Sequence, residues 1–341
     1  LNCKTKRNGF NGNRILIMKA NNKRSNILIY LFIFIFIAFY STNSNAQPSN
    51  SIARSDPECT GNGGTFSLFG TTDCVFTPDL QKVTFYRLDL CNSKPNGPTT
   101  SLVTDRTNCS TFFKNDNGYE ATITKNIINQ IGTSNDFFAL PFGNYKYGII
   151  EIDSVFKYKT SVNFVANVGE AFGSNSSKTC VTKVSSLGTL YSYDSRATSY
   201  AKGNVDCSGT ANAQEVSVGV NSLTRNLGDC FHAITYQGSN ANIDAYLIES
   251  DGTLHNGVGA VRTDMIKSGS NGCTMTNNHG VEKIIGIVPF NIKIDRETNG
   301  IQIEYNNTKG IGLDALTMGG MANKIYQFNN NAFFDFNLTT K

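Results

Sequence analysis

The sequence predicts an all-β protein built as two disulfide-stabilised β-sandwich-like domains behind a cleaved signal peptide. Three observations carry that expectation. Asn, Gly, Ser and Thr are abundant while charged residues make up only 16% of the chain, a mixture that favours strands and turns over long helices. Apolar residues recur with period two in several segments, the spacing of a strand with one buried face. Cysteines are frequent and, past the leader, even in number. With 23 Phe and 14 Tyr the chain has ample material for a core.

The leader comes first. Ile27–Tyr40 (ILIYLFIFIFIAFY) follows Lys19, Lys23 and Arg24 and precedes the small, polar run Ser41–Ala46. A basic lead, a short apolar middle and a small-x-small end describe a secretory signal peptide. As a helix the block would reach only about 21 Å, short of a bilayer core of ~30 Å. Met18 is read as the start, so 1–17 is upstream read-through with no structural role, 18–46 is the signal peptide, and cleavage falls between Ala46 and Gln47. The expected location is secreted, extracellular or cell-surface, with the periplasm as an alternative, and membrane contact is limited to the transient signal peptide. Residues 1–46 hold seven of the 30 Lys/Arg and no Asp/Glu, leaving 23 basic against 26 acidic residues, a net charge of −3. A mildly acidic chain without basic runs argues against nucleic-acid binding.

Residues 47–58 are polar and Pro-punctuated, a flexible mature N-terminus. The first domain is expected over 59–168. Val83–Leu90 (VTFYRLDL) reads as a strand with Tyr86, Leu88 and Leu90 on one face; Lys94–Pro98 and Asn115–Gly118 read as turns, and Glu120–Thr124 as a strand. Lys125–Ile131 reads as a short helical turn. In Leu140–Ile152 (LPFGNYKYGIIEI), Pro141 fixes φ for a turn, Gly143 tolerates a positive φ, and Tyr145 opens a strand. A Tyr at that place can return its hydroxyl to the upstream backbone, as in the tyrosine corner of β-sandwiches. Phe156 and Tyr158 alternate with Lys157 and Lys159, marking a further strand.

The pairing of VTFYRLDL with LPFGNYKYGIIEI resembles the prealbumin-like (transthyretin-like) β-sandwich modules of bacterial secreted and surface proteins, over residues 83–159. The resemblance implies a fold and no activity, since such sandwiches host many functions.

Residues 169–182 (GEAFGSNSSKTCVT) are Gly/Ser/Asn-rich and read as a linker to a second domain over 183–341. There Ile243, Ala245 and Leu247 alternate before a turn at Ser250–Gly252. Phe290, Ile292 and Ile294 alternate, turn at Arg296–Gly300, and resume at Ile301, Ile303 and Tyr305, the pattern of a hairpin. Phe334, Phe336 and Leu338 mark a closing strand.

Cys59, Cys74, Cys91, Cys109, Cys180, Cys207, Cys230 and Cys273 remain after the leader, and an even count in an exported chain reads as disulfides. Short local loops favour the sequential pairing 59–74, 91–109, 180–207 and 230–273, each bridge contributing about 3 kcal/mol. A zinc site would need tight pairs such as C-x-x-C, which are absent.

Catalytic patterns are equally sparse. His232, His255 and His279 lie far apart and outside any ligand spacing. Ser154–Lys157 fits S-x-x-K, yet alternation around it says strand where an acyl-enzyme needs a helix start. Gly310-Ile311-Gly312 mimics part of a dinucleotide fingerprint without a βαβ context. Asp116–Gly118 and Asp251–Gly252 carry oxygen ligands suited to calcium but lack the alternating ligand loop, and read as tight turns. The sequons at Asn108, Asn175, Asn306 and Asn337 matter only in a eukaryotic secretory path. Glycosidase carboxylates can come from distant positions, and the absence of Trp weighs against a sugar platform. No catalytic residue, metal or cofactor is therefore assigned. The expected function is a non-catalytic secreted or cell-surface structural or adhesin-like protein that self-associates or joins other surface components. A glycan- or ligand-binding module is the alternative, and a secreted hydrolase ranks behind it.

Overall fold

In the computed structural model, the described residues are 13–18, 60–62, 65–67, 73–123, 128–191, 197, 199–220, 234–237, 242–255, 265–267, 273–275, 281–307, 310–316, 324–330 and 335–340. They form strands and one short 3-10 turn, Ser134–Asp136. In chain order the strands are β1 (Asn13–Met18), β2 (Thr60–Asn62), β3 (Thr65–Ser67), β4 (Asp73–Phe76), β5 (Leu80–Cys91), β6 (Cys109–Ile123), β7 (Ile128–Gln130) and β8 (Gly143–Asp153). Next come β9 (Val155–Lys159), β10 (Ser161–Glu170), β11 (Ser176–Thr182), β12 (Leu190–Tyr191), β13 (Val205–Asp206), β14 (Val216–Gly219), β15 (Ile234–Gln237) and β16 (Asn242–Ile248). The last are β17 (Met265–Lys267), β18 (Cys273–Met275), β19 (Lys283–Ile294), β20 (Gly300–Asn306), β21 (Ile311–Leu316), β22 (Lys324–Asn330) and β23 (Asp335–Thr340).

A nine-stranded sheet runs β12-β14-β9-β5-β8-β19-β16-β15, with β6 on the remaining edge of β5. An eight-stranded sheet contains β13-β11-β10-β22-β21-β4 with β2 and β3, and a four-stranded sheet runs β23-β20-β1-β7. Side chains from all three meet in one apolar core, among them Phe85 of β5, Ile150 of β8, Val162 of β10, Phe328 of β22 and Ile303 of β20. The arrangement is β-sandwich-like and all-β.

β5 explains the nine-stranded sheet. Gln81, Val83 and Phe85 alternate inward, and then two register shifts, at Phe85/Arg87 and Leu88/Asp89, reset the alternation so that Leu88 and Leu90 still reach the core. The expectation that Tyr86 shares a face with Leu88 is thus corrected: a bulge puts Phe85 in the core, and half-buried Tyr86 donates to Asp153 Oδ2 at 3.1 Å instead. The Asn115–Gly118 turn is the other half of this irregularity, lying inside β6 between Lys114 and Tyr119, which pair with Arg87 and Phe85. Gly118 sits at φ +77°, where a Cβ would stand 2.5 Å from Thr84 Cγ2.

β8 and β9 lie along one edge of β5 as a single strand kinked at Ser154. Ser154 is buried there, its Oγ donating to Val281 O at 3.2 Å. Beyond the kink the outer edge changes partner: β8 takes β19 over ten register pairs, whereas β9 takes β14.

This pairing corrects the expected domain boundary. Strands from both sides of residues 169–182 share one sheet, β9, β5 and β8 lying between β14 and β19, and the segment itself supplies the end of β10 and all of β11, with Cys180 buried. Its polar residues occupy the exposed positions of a strand, so composition alone resembled a linker. A second correction concerns 290–305. The alternation marks two strands, but β19 belongs to the nine-stranded sheet and β20 to the four-stranded one, so the turn between them is a corner linking sheets. Third, Ile128–Gln130 is strand, not helical turn, and pairs in parallel with β1. Finally, Asn13–Ile17, read as having no structural role, and Met18, read as the start, are placed between β20 and β7. The apolar block and the Ala46/Gln47 junction lie outside the described residues.

Among the described residues, two disulfides staple the sheets. Cys91 and Cys109 face each other in the β5–β6 register, and Cys180 of β11 joins Cys207 just beyond β13. The side chains of Cys59, Cys74, Cys230 and Cys273 lie outside the described residues.

Candidate functional site: an apolar pocket beside the tyrosine corner

The pocket is built by the corner that precedes β8. Tyr145 is 2% exposed, and its hydroxyl donates to Pro141 O at 2.9 Å, closing the turn on itself. Gly143 does not need a left-handed backbone, contrary to expectation. It already pairs with Ile294 as a strand residue, and the chain reverses earlier, around Pro141. Upstream, Asp136 accepts from Thr133 N at 2.6 Å and from Asn115 Nδ2 at 3.1 Å, and the Phe137 ring packs 5.4 Å from both Phe112 and Phe113. Phe138 N donates to Phe112 O. With the loop pinned this way, Phe138 and Phe142 are left 46% and 67% exposed.

Beside Phe142 opens a cavity of about 290 Å³ walled by Phe112, Leu140, Ile294 and Ile301. Its polar rim is the β19–β20 corner, Asp295, Arg296 and Thr298. That corner is held by its own side chains: Glu297 N donates to Asp295 Oδ1 at 3.0 Å, and Asp295 N to Thr298 Oγ1 at 3.1 Å. The Lys293 ammonium beside Asp295, together with the Glu297 amide and the Thr298 hydroxyl, holds its carboxyl below the usual range. Arg296 is exposed on the rim. A cavity of this size and lining accepts an apolar side chain or a small ligand.

Two charged clusters lie elsewhere. On the outer face of the nine-stranded sheet, Asp89 is fully buried and accepts from Arg87 Nε and Arg106 Nε at 2.8 Å each. Arg106 also reaches Glu151 Oε2 at 2.9 Å, and Glu151 Oε1 takes Lys283 at 2.8 Å. Lys283 in turn lies 4.1 Å from the Tyr86 ring centre, and burial together with Asp153 pushes the Tyr86 phenol up to about 12. Asp89 is thus satisfied by Arg87 of its own strand and Arg106 of the 92–108 loop, and Glu151 by Arg106 and by Lys283 of the neighbouring β19, so the cluster ties loop and strands together. The second cluster surrounds Glu170, 2% exposed at the end of β10. Its Oε1 accepts from Cys207 N at 2.5 Å, while Oε2 is buried without a hydrogen-bond partner. Burial raises its carboxyl above the ordinary range. Nearby, Tyr200 donates to Asp206 at 2.7 Å, and Lys183 lies over the Tyr200 ring.

The residues singled out for chemistry are dispersed. Ser154 is locked in its kink, and Lys157 pairs with Glu120 at 2.5 Å. His255 is buried with Nδ1 2.9 Å from Glu249 Oε1, and His232 and His279 lie outside the described residues. Asp251 caps its own turn, accepting from Thr253 N and Oγ1. Among the described residues no group of three His, Cys, Asp or Glu is placed to hold a metal. Sequence reading found Pro141 and Tyr145 but not Phe138, Phe142 or Arg296. The available signal was three Phe within six residues around a Pro turn, more apolar surface than one tight corner can bury. No family model, curated protein or solved structure matches the chain.

Proposed function

We propose that this chain is an exported, non-catalytic structural or adhesin-like protein that assembles with further copies of itself. The observation that carries this reading is the exposed ring of Phe142 at a cavity walled in part by Phe112, Leu140, Ile294 and Ile301, with Phe138, also exposed, four residues before it. Large apolar side chains grouped at the surface beside a cavity mark contact surfaces. The disulfides agree with an oxidising compartment, and the charged residues of the nine-stranded sheet serve strand-to-strand pairing. Light scattering after size exclusion, with negative-stain microscopy, tests the reading on the chain processed and released by a secreting host. Fixed oligomers or filaments that dissociate in Phe138→Ser/Phe142→Ser are the expected result; a wild-type monomer at all concentrations overturns it.

One observation favours a second reading, capture of a small ligand or glycan. The cavity combines apolar walls with the Asp295–Thr298 polar rim and the exposed cation Arg296. Saturable binding of a saccharide, abolished by Arg296→Ala in a protein that stays monomeric, would select it.

A further inference from the structure

β1 fills a position with two sides. Along one, Asn13–Met18 pairs antiparallel with β20 over six register positions, from Asn13 opposite Tyr305 to Met18 opposite Gly300. Along the other, Arg14–Leu16 pairs in parallel with Ile128–Gln130 of β7. The far edge of β20 is taken over its full reach by β23, from Ile301 opposite Thr340 to Asn306 opposite Asp335. The space between β20 and β7 therefore accepts one strand, in a gap of about 9.6 Å, twice the spacing of neighbouring strands. Its register is demanding: Ile15 and Ile17 stand opposite Ile303 and Ile301, whose side chains are buried. An occupant needs apolar residues at alternate positions.

The strand that fills this position lies ahead of the apolar block at residues 27–40. On the reading of this protein as exported, cleavage between Ala46 and Gln47 separates Asn13–Met18 from everything that follows, whichever upstream residue starts translation. The processed chain then carries β20 with one edge open and β7 without its partner. An unpaired strand edge beside buried Ile positions is a template for strand addition.

We propose that the β20/β7 position is an acceptor slot, filled in the processed protein by a strand from a second copy of this chain. One feature favours a second copy. The slot opens at Gly300 and Ile301, which also line the cavity beside the exposed Phe142, so a strand leaving the slot continues onto the surface proposed above for self-association. The proposal rests on the exported, self-assembling reading and adds to it the site and the mode of contact.

The test expresses all 341 residues in a secreting host and uses the product recovered from the medium. A peptide of residues 11–20 serves as the probe, with Ile15→Asp/Ile17→Asp as its control. The expected result is an N-terminus at Gln47 and an oligomer whose 300–306 amides are protected from hydrogen exchange. Excess peptide dissociates it to monomers that carry one peptide each, and the control peptide competes more than about tenfold less well. A processed oligomer that ignores the peptide overturns the slot. A processed monomer that binds the peptide overturns the second copy as occupant, and one that does not bind it overturns both. Recovery of protein that still contains residues 13–18 instead refutes the processing on which the proposal depends, a failure visible in the mass alone.

Discussion

Replacing Cys91 and Cys109 together by Ala should destabilise the protein chiefly by freeing its unfolded chain. The two residues are direct cross-strand partners, 18 apart in sequence, at the root of the 92–108 loop. Closing a loop of that length removes denatured-state entropy worth about 3.2 kcal/mol at 25 °C. In the folded state the loop keeps other tethers. Arg106 remains bound to Asp89 and Glu151, and Lys94 to Asp244 at 2.7 Å. The native arrangement over the apolar cluster of Ile149, Ile248, Ile285 and Ile287 should therefore survive. Urea unfolding followed by far-UV circular dichroism suits a chain without Trp. The expected result is a loss of about 3 kcal/mol with a steeper denaturant dependence, because the unlinked chain exposes more surface when unfolded. The same substitution at Cys180 and Cys207, 27 apart, should cost about 3.6 kcal/mol. A loss under about 1 kcal/mol, or a full loss with an unchanged slope, would refute the denatured-state account and move the effect into native packing.

Tyr145→Phe should cost about 1 kcal/mol, one hydrogen bond to Pro141 O, and a denaturation midpoint equal to wild type would count against the corner. Phe336→Ala should cost about 3–4 kcal/mol, since this buried ring packs at a tilt 4.9 Å from the Tyr305 ring; a loss near zero by the same titration would mean that β23 is dispensable. Glu170→Gln should gain stability relative to wild type as pH rises. Burial raises the Glu170 carboxyl above 4.5, so its protonated form contributes stability that is present below 4.5 and lost as pH climbs through the raised value. The Gln side chain does not titrate, and thermal melts from pH 4 to 7 should show the variant's relative stability growing; a flat or falling difference contradicts the buried-acid argument.

Period-two alternation made β5, β8, β9, β19 and β20 legible because each has one face in the core, and burial is what alternation encodes. It does not encode partners. The 290–305 segment reads as a hairpin, yet its turn carries the chain from one sheet to another, since Ile292 and Ile294 meet Tyr145 and Gly143 of β8 while Ile301 and Ile303 line up with β23. Bulges are hidden for a related reason. Tyr86 falls on the predicted apolar face by counting, and only the four residues of β6 that stand opposite this one show that the count is broken. The pocket was half legible: Pro141 and Tyr145 follow from turn chemistry, whereas the exposure of Phe138 and Phe142 depends on Asp136 and Phe137 anchoring the preceding loop.

Ser154 shows why the two halves of the sequence are interdependent. One kink lets a single strand keep β5 on its inner edge while offering two outer edges, and both are taken by strands from beyond residue 182: β19 on one side of the kink, β14 on the other. The kink is itself fixed from the far half, by Ser154 N donating to Glu282 O and Val220 N donating to Ser154 O. Gln81 of β5 repeats the pattern at the next sheet, its Nε2 donating to Tyr158 Oη at 3.3 Å and Tyr305 Oη at 3.0 Å inside the core. Removing the second half would strip β8 and β9 of their outer partners and expose Ile150 and Phe156 of the shared core. On the proposed self-assembly, contact surface comes from positions outside this shared framework: the corner beside Phe142 and the edge of β20 that β1 occupies adjoin at Ile301.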